Sequence, residues 1–461
     1  MNGRATNFAS LPRAALASAL LLTLLAALPA TAQEPLTLEK AVTIALEKNP
    51  VRKAAVADQK AAGAGVNLAR SALLPHLVFS EGFTRGNDPI YVLSAKLRQQ
   101  RFTAADLALP VLNAPPPINN FVTRFGADWN LFDSGASWLT LSRSRKLQQA
   151  AGSQLDRTEQ ELVYRVVEAY YGLLLAAKQQ KVAEDAVKTA QATLDQSRAR
   201  YETGMTVESD LLSSQVDLGE RQQELIRARN DVELARARLD HEMGTSFDST
   251  YRPAETLAER SFPLAPLPEL EREALEKRPD LHSIRLEESA QGKSVSAAKA
   301  AFGPRLNAFL GWETDNPRLT GGGGNNWVGG VELRFDLFQG GAKLAGLTQQ
   351  RAYAEKIAAL RESAESGVRL ELRRAYLDFD ANRQQVEVAR ASVSQADESL
   401  RISQNRYQEG LTTITELLRA EEAARRSQAE YWQAVYRLQT SYAGVELAKG
   451  TLNSHSPVVT P

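Results

Sequence analysis

The chain has 461 residues, with 55 lysines and arginines, 55 aspartates and glutamates, and no cysteine. A formal charge of zero provides no basic field of the kind that nucleic-acid-binding proteins use, so we expect no nucleic-acid partner. The lack of cysteine excludes disulfides, thiolate metal sites and lipid attachment through cysteine. Function is therefore expected to come from the shape of the molecule.

Residues 1–32 are predicted to be a cleaved secretory signal peptide. An apolar stretch runs from 14 to 28, and Ala30-Thr31-Ala32 precedes Gln33 as an A-x-A site, so cleavage is expected between Ala32 and Gln33. An uncleaved anchor is the alternative, but the stretch is short for a spanning helix. Beyond Gln33 no stretch is long and apolar enough for such a helix, which favours a periplasmic, secreted or β-barrel protein.

The mature sequence is predicted to be a tandem repeat. The segment Ala45 to Pro50 recurs at 274–279 with an offset of 229, and the segment Leu131 to Gly135 recurs at 337–341 with an offset of 206. The offset falls because the first half holds a longer loop. The predicted divisions are a first repeat at 33–244, a linker at 245–266, a second repeat at 267–450 and a C-terminal tail at 451–461.

Each half is predicted to hold a helix of about 36 residues, two strands, a helix of roughly 67 residues and a return helix. The first helix should end before Pro75 or Pro304, because the residue preceding a proline disfavours the α region. The return helix and the first helix are together about as long as the 67-residue helix, so they are expected to stack end to end beside it. The predicted bounds are 38–73, 77–85, 121–131, 136–202 and 206–243, and then 267–302, 306–313, 327–337 and 342–408.

The strands and long helices together predict an α+β membrane protein. Each second strand has one apolar face, and a helix of 67 residues is about 100 Å long, which no compact soluble domain needs. Four strands cannot close a barrel, since about eight are the usual minimum. The apolar strand face therefore implies an oligomer, and three copies would supply twelve strands for an open pore whose walls continue into a tube of long helices.

These features resemble the TolC-like outer membrane efflux protein family across essentially all of the mature chain. Two hairpin turns look like the family's R-Y-x-x-G-x(5)-[DE]-[VL]-L tip, and they are Arg200-Tyr201-Glu202-Thr203-Gly204 through Asp210-Leu211-Leu212 and Arg406-Tyr407-Gln408-Glu409-Gly410 through Glu416-Leu417-Leu418. The resemblance implies a homotrimer with a 12-stranded outer-membrane β-barrel, continued by a long periplasmic α-helical coiled-coil barrel. It also implies that this assembly is the outer-membrane exit duct of a tripartite efflux or type I secretion system. Such a duct passively conducts substrates delivered by an inner-membrane pump, of RND or ABC type, and a periplasmic adaptor (membrane fusion) protein, without a cofactor.

The resemblance also implies a gate at the periplasmic tips. It places an aperture acid at Glu416 and a polar contact between Asp210 and Tyr407. Three carboxylates around one axis would form a cation-attracting ring. Thr412 stands where some members have arginine and Arg419 replaces a second aperture acid, so we expect a differently latched gate. The alternative is that Glu416 and Arg419 are solvated positions that pair with each other.

The same turns are similar to the family's adaptor-docking surface. The residues that the resemblance assigns to it are Arg200, Tyr201, Gly204, Leu211, Leu212, Arg406, Gly410, Leu417 and Leu418. The two glycines also fit ordinary helix ends. The leucines also fit the seam of a coiled coil, and both interpretations stay open.

Three tryptophans near predicted strand ends are expected to anchor the barrel in outer-membrane lipid, with simple packing as the alternative: Trp129, Trp312 and Trp327. The segment 86–120 contains three basic residues and no periodic strand pattern, so we predict an extracellular loop. Its basic side chains are expected either to be solvated or to contact lipopolysaccharide.

No catalytic or metal site is predicted, and the chain is not expected to be an enzyme. The four histidines lie far apart, and the run Gly321 to Gly324 is followed by no G-K-[ST]. Two rival hypotheses are a periplasmic adaptor, which should carry one hairpin, and an exported coiled-coil structural protein, which leaves the strand pairs unexplained. The cargo stays open among drugs, metal ions and polypeptides, as do the pump and the adaptor.

Overall fold

The computed structural model describes residues 35–247 and 251–460. The predicted cleavage site at Ala32 and Gln33 lies outside the described residues. The strands are β1 Pro35–Leu36, β2 His76–Gly86, β3 Ile118–Phe132, β4 Arg252–Pro253, β5 Arg305–Asn316 and β6 Gly324–Arg334. The helices are α1 Leu38–Lys48, α2 Pro50–Ser71, α3 Pro89–Arg98, α4 Leu109–Asn113, α5 Ala136–Glu202, α6 Glu208–Met243, α7 Leu267–Lys277, α8 Pro279–Ala300, α9 Ala342–Gln408 and α10 Ile414–Lys449, with a 3-10 turn at Ala104–Leu107.

The long helices α5 and α9 have the predicted bounds, 136–202 and 342–408. In α5 the residues at a seven-residue step from Leu162 through Ala169 to Ala190 are buried, each at most 8% exposed. Small residues on this seam let the neighbouring helices approach closely. Across the described ranges, no helix combines the length and the apolar character needed to cross a bilayer.

A proline breaks the first helix of each half, so the prediction of one helix over 38–73 and one over 267–302 is wrong. Asn49 is extended, with ψ of 130°, and its side chain accepts a hydrogen bond from the Val51 amide at 2.8 Å. Arg278 is extended in the same way before Pro279. Proline lacks an amide hydrogen and disfavours a helical residue before it, so each break falls at the preceding residue.

The return helix meets this break end to end, as predicted. The Asn49 side chain donates a hydrogen bond to the carbonyl of Glu242, near the end of α6, at 2.8 Å. Gly244 follows with φ of +69°, and a Cβ there would lie 2.8 Å from the Asn49 Cα. Gly450 approaches the Arg278 Cα in the same way at the end of α10. Each stack therefore depends on a glycine at the junction.

The largest apolar core lies midway along the helices and includes both the linker and the C-terminal tail. Leu257 of the linker and Leu452, Val458 and Val459 of the tail are each at most 1% exposed. The Tyr170 hydroxyl donates to the Leu36 carbonyl at 3.0 Å, where β1 pairs in parallel with β4. These segments were predicted only as connections, and they instead close the core.

Strands β2, β3, β5 and β6 form one antiparallel sheet in that order. Period-two alternation divides it into an apolar face and a polar face. On the apolar face each strand contributes one side chain to a single row, the aromatic row: Phe79, Phe125, Trp312 and Trp327. On the polar face the adjoining row is Ser80, Arg124, Glu313 and Asn326. Strand β6 ends at Arg334 and not at 337 as predicted.

The segment predicted as a plain loop at 86–120 contains helices α3 and α4, so that prediction is wrong in detail. Asp88 caps α3 by accepting a hydrogen bond from the Tyr91 amide at 2.8 Å, and Pro89 occupies the first turn. Helix α3 has only ten residues, which is shorter than the window in which helical periodicity is recognised from sequence. Residues 87–117 are called the mouth insert below.

Candidate functional site

The candidate site is the end of the molecule where the two hairpin turns lie side by side. Helix α5 turns into α6 at Gly204, and α9 turns into α10 at Gly410, with φ of +73° and +75°. The Met205 amide donates to the Arg200 carbonyl at 2.8 Å, and the Leu411 amide donates to the Arg406 carbonyl at the same distance. Both are helix-ending turns in the left-handed conformation that favours glycine.

Arg200 joins the two hairpins. Its guanidinium carbon lies 5.0 Å from the centre of the Tyr407 ring, and its Nη1 donates to the Tyr407 carbonyl at 2.5 Å. A cation over an aromatic face is attracted by the ring quadrupole. A Cβ at Gly410 would lie 3.4 Å from Arg200 Nη2, an ordinary contact distance, so the positive φ is what favours glycine there. Arg200, which was predicted for adaptor docking, therefore connects the two hairpins within the chain.

Tyr407 does not contact Asp210 as predicted. Its hydroxyl lies 3.2 Å from the Ser197 hydroxyl, which accepts a hydrogen bond from Ser214 at 2.9 Å. The Asp210 carboxylate instead accepts from the Thr206 hydroxyl at 2.5 Å. The prediction is wrong because Ser197, seven residues after Ala190, continues the buried seam and supplies the nearer partner. Sequence reasoning missed Ser197, although a polar residue at a seam position was visible.

Glu416 and Arg419 pair with each other within the chain, as the alternative interpretation proposed. Their side chains are 3.0 Å apart and are 57% and 72% exposed. Thr413 caps α10 by accepting from the Glu416 amide at 3.4 Å, which fixes the carboxylate in the first helical turn. Thr412 is half-buried beside this cap. The tip thus presents a carboxylate and a guanidinium to solvent at neighbouring positions.

The predicted docking residues divide into buried and exposed groups. Leu417 is 2% exposed and packs with Tyr407 and Ile414, and Leu418 packs against the same cluster. These two leucines are therefore seam residues. Leu211 is half-buried, whereas Leu212 and Tyr201 are 51% and 41% exposed. Three more exposed apolar side chains at the turns were missed by the sequence reasoning: Met205, Val207 and Leu411.

A second contact between the hairpins lies farther from the tips. The Thr193 hydroxyl of α5 donates to the Glu421 carboxylate of α10 at 2.9 Å. Burial raises the pKa of Glu421, and the neighbouring Asp217 raises it further against the opposing effect of the Thr193 hydrogen bond. Arg221 of α6 contacts Glu422 of α10 at 3.1 Å nearby. Charged residues therefore bridge the hairpins, a pattern that composition alone did not reveal.

The predicted tryptophan anchors lie on the sheet at the opposite end. Trp312 and Trp327 belong to the aromatic row and are 37% and 77% exposed. Trp129 lies closer to the helices, and its indole nitrogen donates to the Leu73 carbonyl at 3.0 Å. Among residues 35–247 and 251–460, no group of three or more histidine and acidic side chains is placed to hold a metal ion.

Comparison with known proteins gives consistent matches along the chain. Residues 41–245 and 270–451 match the family described as outer membrane efflux protein. The chain is 25% identical to the alkaline protease secretion protein AprF of Pseudomonas aeruginosa, over 89% of this chain and 83% of that protein. It is 24% identical to the protein CyaE of Bordetella pertussis, over 85% and 79% of the two chains. The Campylobacter jejuni CmeC outer membrane channel superposes with a TM-score of 0.75 at 18% identity, covering 91% of this chain and 87% of the channel.

Proposed function

We propose that this chain, which belongs to the outer membrane efflux protein family, works as one third of a gated trimeric duct. The chain is an outer-membrane exit duct that extends into the periplasm. Its family consists of channels and not of enzymes, and the match overturns the adaptor and structural-protein alternatives. The oligomer, the gate and the docking surface are the parts that we infer.

The sheet supports the trimer. Its two outer strands, β2 and β6, each have one edge without a strand partner among the described residues, and the apolar face is exposed along the aromatic row. Unpaired strand edges are costly in lipid unless another copy pairs with them, and a bare apolar face is costly in water unless lipid or protein covers it. Three copies would supply twelve strands, with the apolar face toward lipid and the polar face toward the lumen.

The tips support the gate, and the single observation that carries it is the contact of Arg200 with Tyr407 across the two hairpins. Opening requires the two hairpins to separate, so the contact between Arg200 and Tyr407 must break. The buried Ser197 and Tyr407 hydroxyls would then lose their hydrogen bond to each other, which favours the closed arrangement. This is a latch within one chain, and it needs no arginine at the position of Thr412.

The exposed apolar side chains at the tips support adaptor docking. Three apolar side chains in the turns beside the helix ends are each more than 60% exposed: Met205, Val207 and Leu411. Apolar groups left exposed together mark contact surfaces. We infer that a periplasmic adaptor covers them and links the duct to an inner-membrane pump. The match to AprF, an alkaline protease secretion protein, over 89% of this chain favours polypeptide cargo.

Ion selectivity tests the tip as the narrowest conducting point. In planar bilayers Glu416→Gln should shift the reversal potential toward anion preference, because it leaves Arg419 unpaired in each chain. Arg419→Gln, the matched control, should shift it the other way, because it frees the Glu416 carboxylate. Each shift should correspond to about a twofold change in the permeability ratio. Two variants with wild-type selectivity would show that these residues do not line the conducting aperture.

A further inference from the structure

The mouth insert, residues 87–117, packs on only one face of the sheet. Arg98 forms a salt bridge with Glu313 at 2.9 Å, and Glu313 also pairs with Arg124 at 2.6 Å. The Arg98 carbonyl accepts a hydrogen bond from Asn326 at 3.2 Å. Glu313, Arg124 and Asn326 all belong to the polar-face row. The insert therefore lies over the polar face and not over the aromatic row.

Buried polar contacts fix the insert in this place. The side chain of Gln99 is 4% exposed and donates to the Asn120 side chain at 2.8 Å, and Asn120 donates to Asp315 at 2.6 Å. Because side chains alternate along a strand, Asn120 lies on the same polar face as Arg124, and Asp315 lies on the same polar face as Glu313. A buried network of this kind is costly to break because each separated group would lose a partner away from water. The insert is thus held as a structured element.

The fit between backbones is also close. A Cβ on Gly324, at the start of β6, would lie 1.8 Å from the Arg98 carbonyl oxygen. The Tyr91 hydroxyl donates to the Thr84 carbonyl at 3.0 Å, and the Tyr91 ring lies against Gly86. Val92 and Ala95 of α3 are buried. Helix α3 therefore packs at the end of the sheet farthest from the long helices.

We propose that the mouth insert folds into the lumen and narrows the outer mouth of the duct, forming a second constriction that is separate from the tips. This inference rests on the proposed trimeric duct, because the polar face lines the lumen only in that assembly. Three inserts would converge around one axis. Arg98 and Arg124 share the carboxylate of Glu313, and Asp315 adds a second carboxylate on the same face. These formal charges balance, so the constriction limits cargo by its width.

Thiol labelling tests the position of the insert, because the chain has no cysteine and an introduced one is unique. Val78 lies on the polar face, one row nearer the helices than Arg124, and is 55% exposed. Phe79→Cys on the apolar face is the matched control for Val78→Cys. The insert can be excised cleanly, since Gly86 and Ile118 are register partners that an Asn-Gly turn in place of 87–117 would join.

On intact cells, a small maleimide should label Val78→Cys with or without the insert. A maleimide carrying about 5 kDa of polyethylene glycol should label it at least about tenfold faster after excision, since the pore diameter sets access. Phe79→Cys should not respond to excision. Equal labelling by the large reagent in both backgrounds would overturn the constriction and leave the duct intact. Resistance to even the small reagent after excision would overturn the duct itself, and the constriction with it.

A charge reversal tests the tether within the intact insert. Arg98→Glu would face Glu313 with a like charge, so labelling of Val78→Cys by the large reagent should rise severalfold. Arg101→Glu makes the same charge change in the same insert at an exposed position and should leave labelling unchanged. Equal rates for the two variants would contradict the assignment of Arg98 as the residue that holds the insert inward.

Discussion

Glu421 is the acidic side chain whose surroundings bear most directly on the contact between hairpins. It lies between α10 and α5, where burial raises its pKa and Thr193 provides its hydrogen bond. A carboxyl whose folded pKa exceeds its unfolded value contributes stability that is fully present below the unfolded pKa and lost as the pH rises through the folded pKa. The contact between the hairpins should therefore become more stable as the pH of the periplasm falls.

Replacing Glu421 with glutamine should remove this pH dependence. The amide keeps an acceptor for Thr193 and avoids a buried charge, so the unfolding temperature at about pH 7.5 should rise by a few degrees above wild type. Acidification to about pH 5 should then stabilise wild type more than Glu421→Gln. Thermal unfolding followed by circular dichroism measures both, with exposed Glu416→Gln as the control. Parallel pH profiles for wild type and Glu421→Gln would contradict the assignment.

The residues of the tip illustrate what the sequence could and could not predict at this scale. The turn motif located Arg200, Tyr407 and both glycines, because left-handed helix ends constrain the local sequence strongly. The partner of Tyr407 was missed, since Ser197 lies 210 residues away in the chain. Such pairings depend on how two hairpins are placed beside each other, and that placement leaves no local signal.

At the scale of elements, the junction between α6 and the α1–α2 break controls how the helices stack. Gly204 and Gly244 both have positive φ, so an added Cβ is strained at either position. Only Gly244 has a close neighbour, the Asn49 backbone, whereas nothing lies within 4 Å of a Cβ at Gly204. The two glycines therefore separate backbone strain from steric collision.

Gly204→Ala should cost about 1–2 kcal/mol, the price of placing a Cβ in the left-handed region. Gly244→Ala should cost clearly more, because its Cβ would also displace the Asn49 backbone and open the end-to-end stack. Urea unfolding of the two variants measures the difference in free energy. Equal losses of unfolding free energy would show that the junction adjusts to the added Cβ and that the close approach of Gly244 to Asn49 does not contribute to stability.

Element types and lengths were largely predictable, and the failures have physical causes. The 67-residue helices were bounded correctly because a long heptad pattern and glycines mark both ends. The break at Pro50 was missed because the apolar spacing continues across it, although proline at that position already excluded a continuous helix. Helix α3 was missed because ten residues give too little periodicity.

At the scale of the whole molecule, the C-terminal tail closes the central core. Val458 is fully buried, and its carbonyl accepts from the Tyr171 hydroxyl at 3.4 Å. The Pro457 carbonyl accepts from Arg260 of the linker at 2.7 Å. The tail thus connects both long hairpins with the linker. The sequence did not predict this, since eleven residues without a pattern fit any loop.

Val458→Asp should therefore prevent assembly. It places a carboxylate among apolar side chains without a partner, a change that costs several kcal/mol. His455→Asp, at an exposed position of the same tail, is the matched control and should assemble normally. The amount of assembled protein in outer-membrane fractions measures the outcome. Equal amounts for the two variants would contradict a structural role for the tail.

The most direct test of the account is the mass of the mature protein extracted from outer membranes in detergent, measured by light scattering corrected for bound detergent. Three copies per particle in the outer-membrane fraction is the predicted result, because four strands per chain require three chains to form twelve. A soluble periplasmic monomer would contradict the duct, the gate and the outer constriction together.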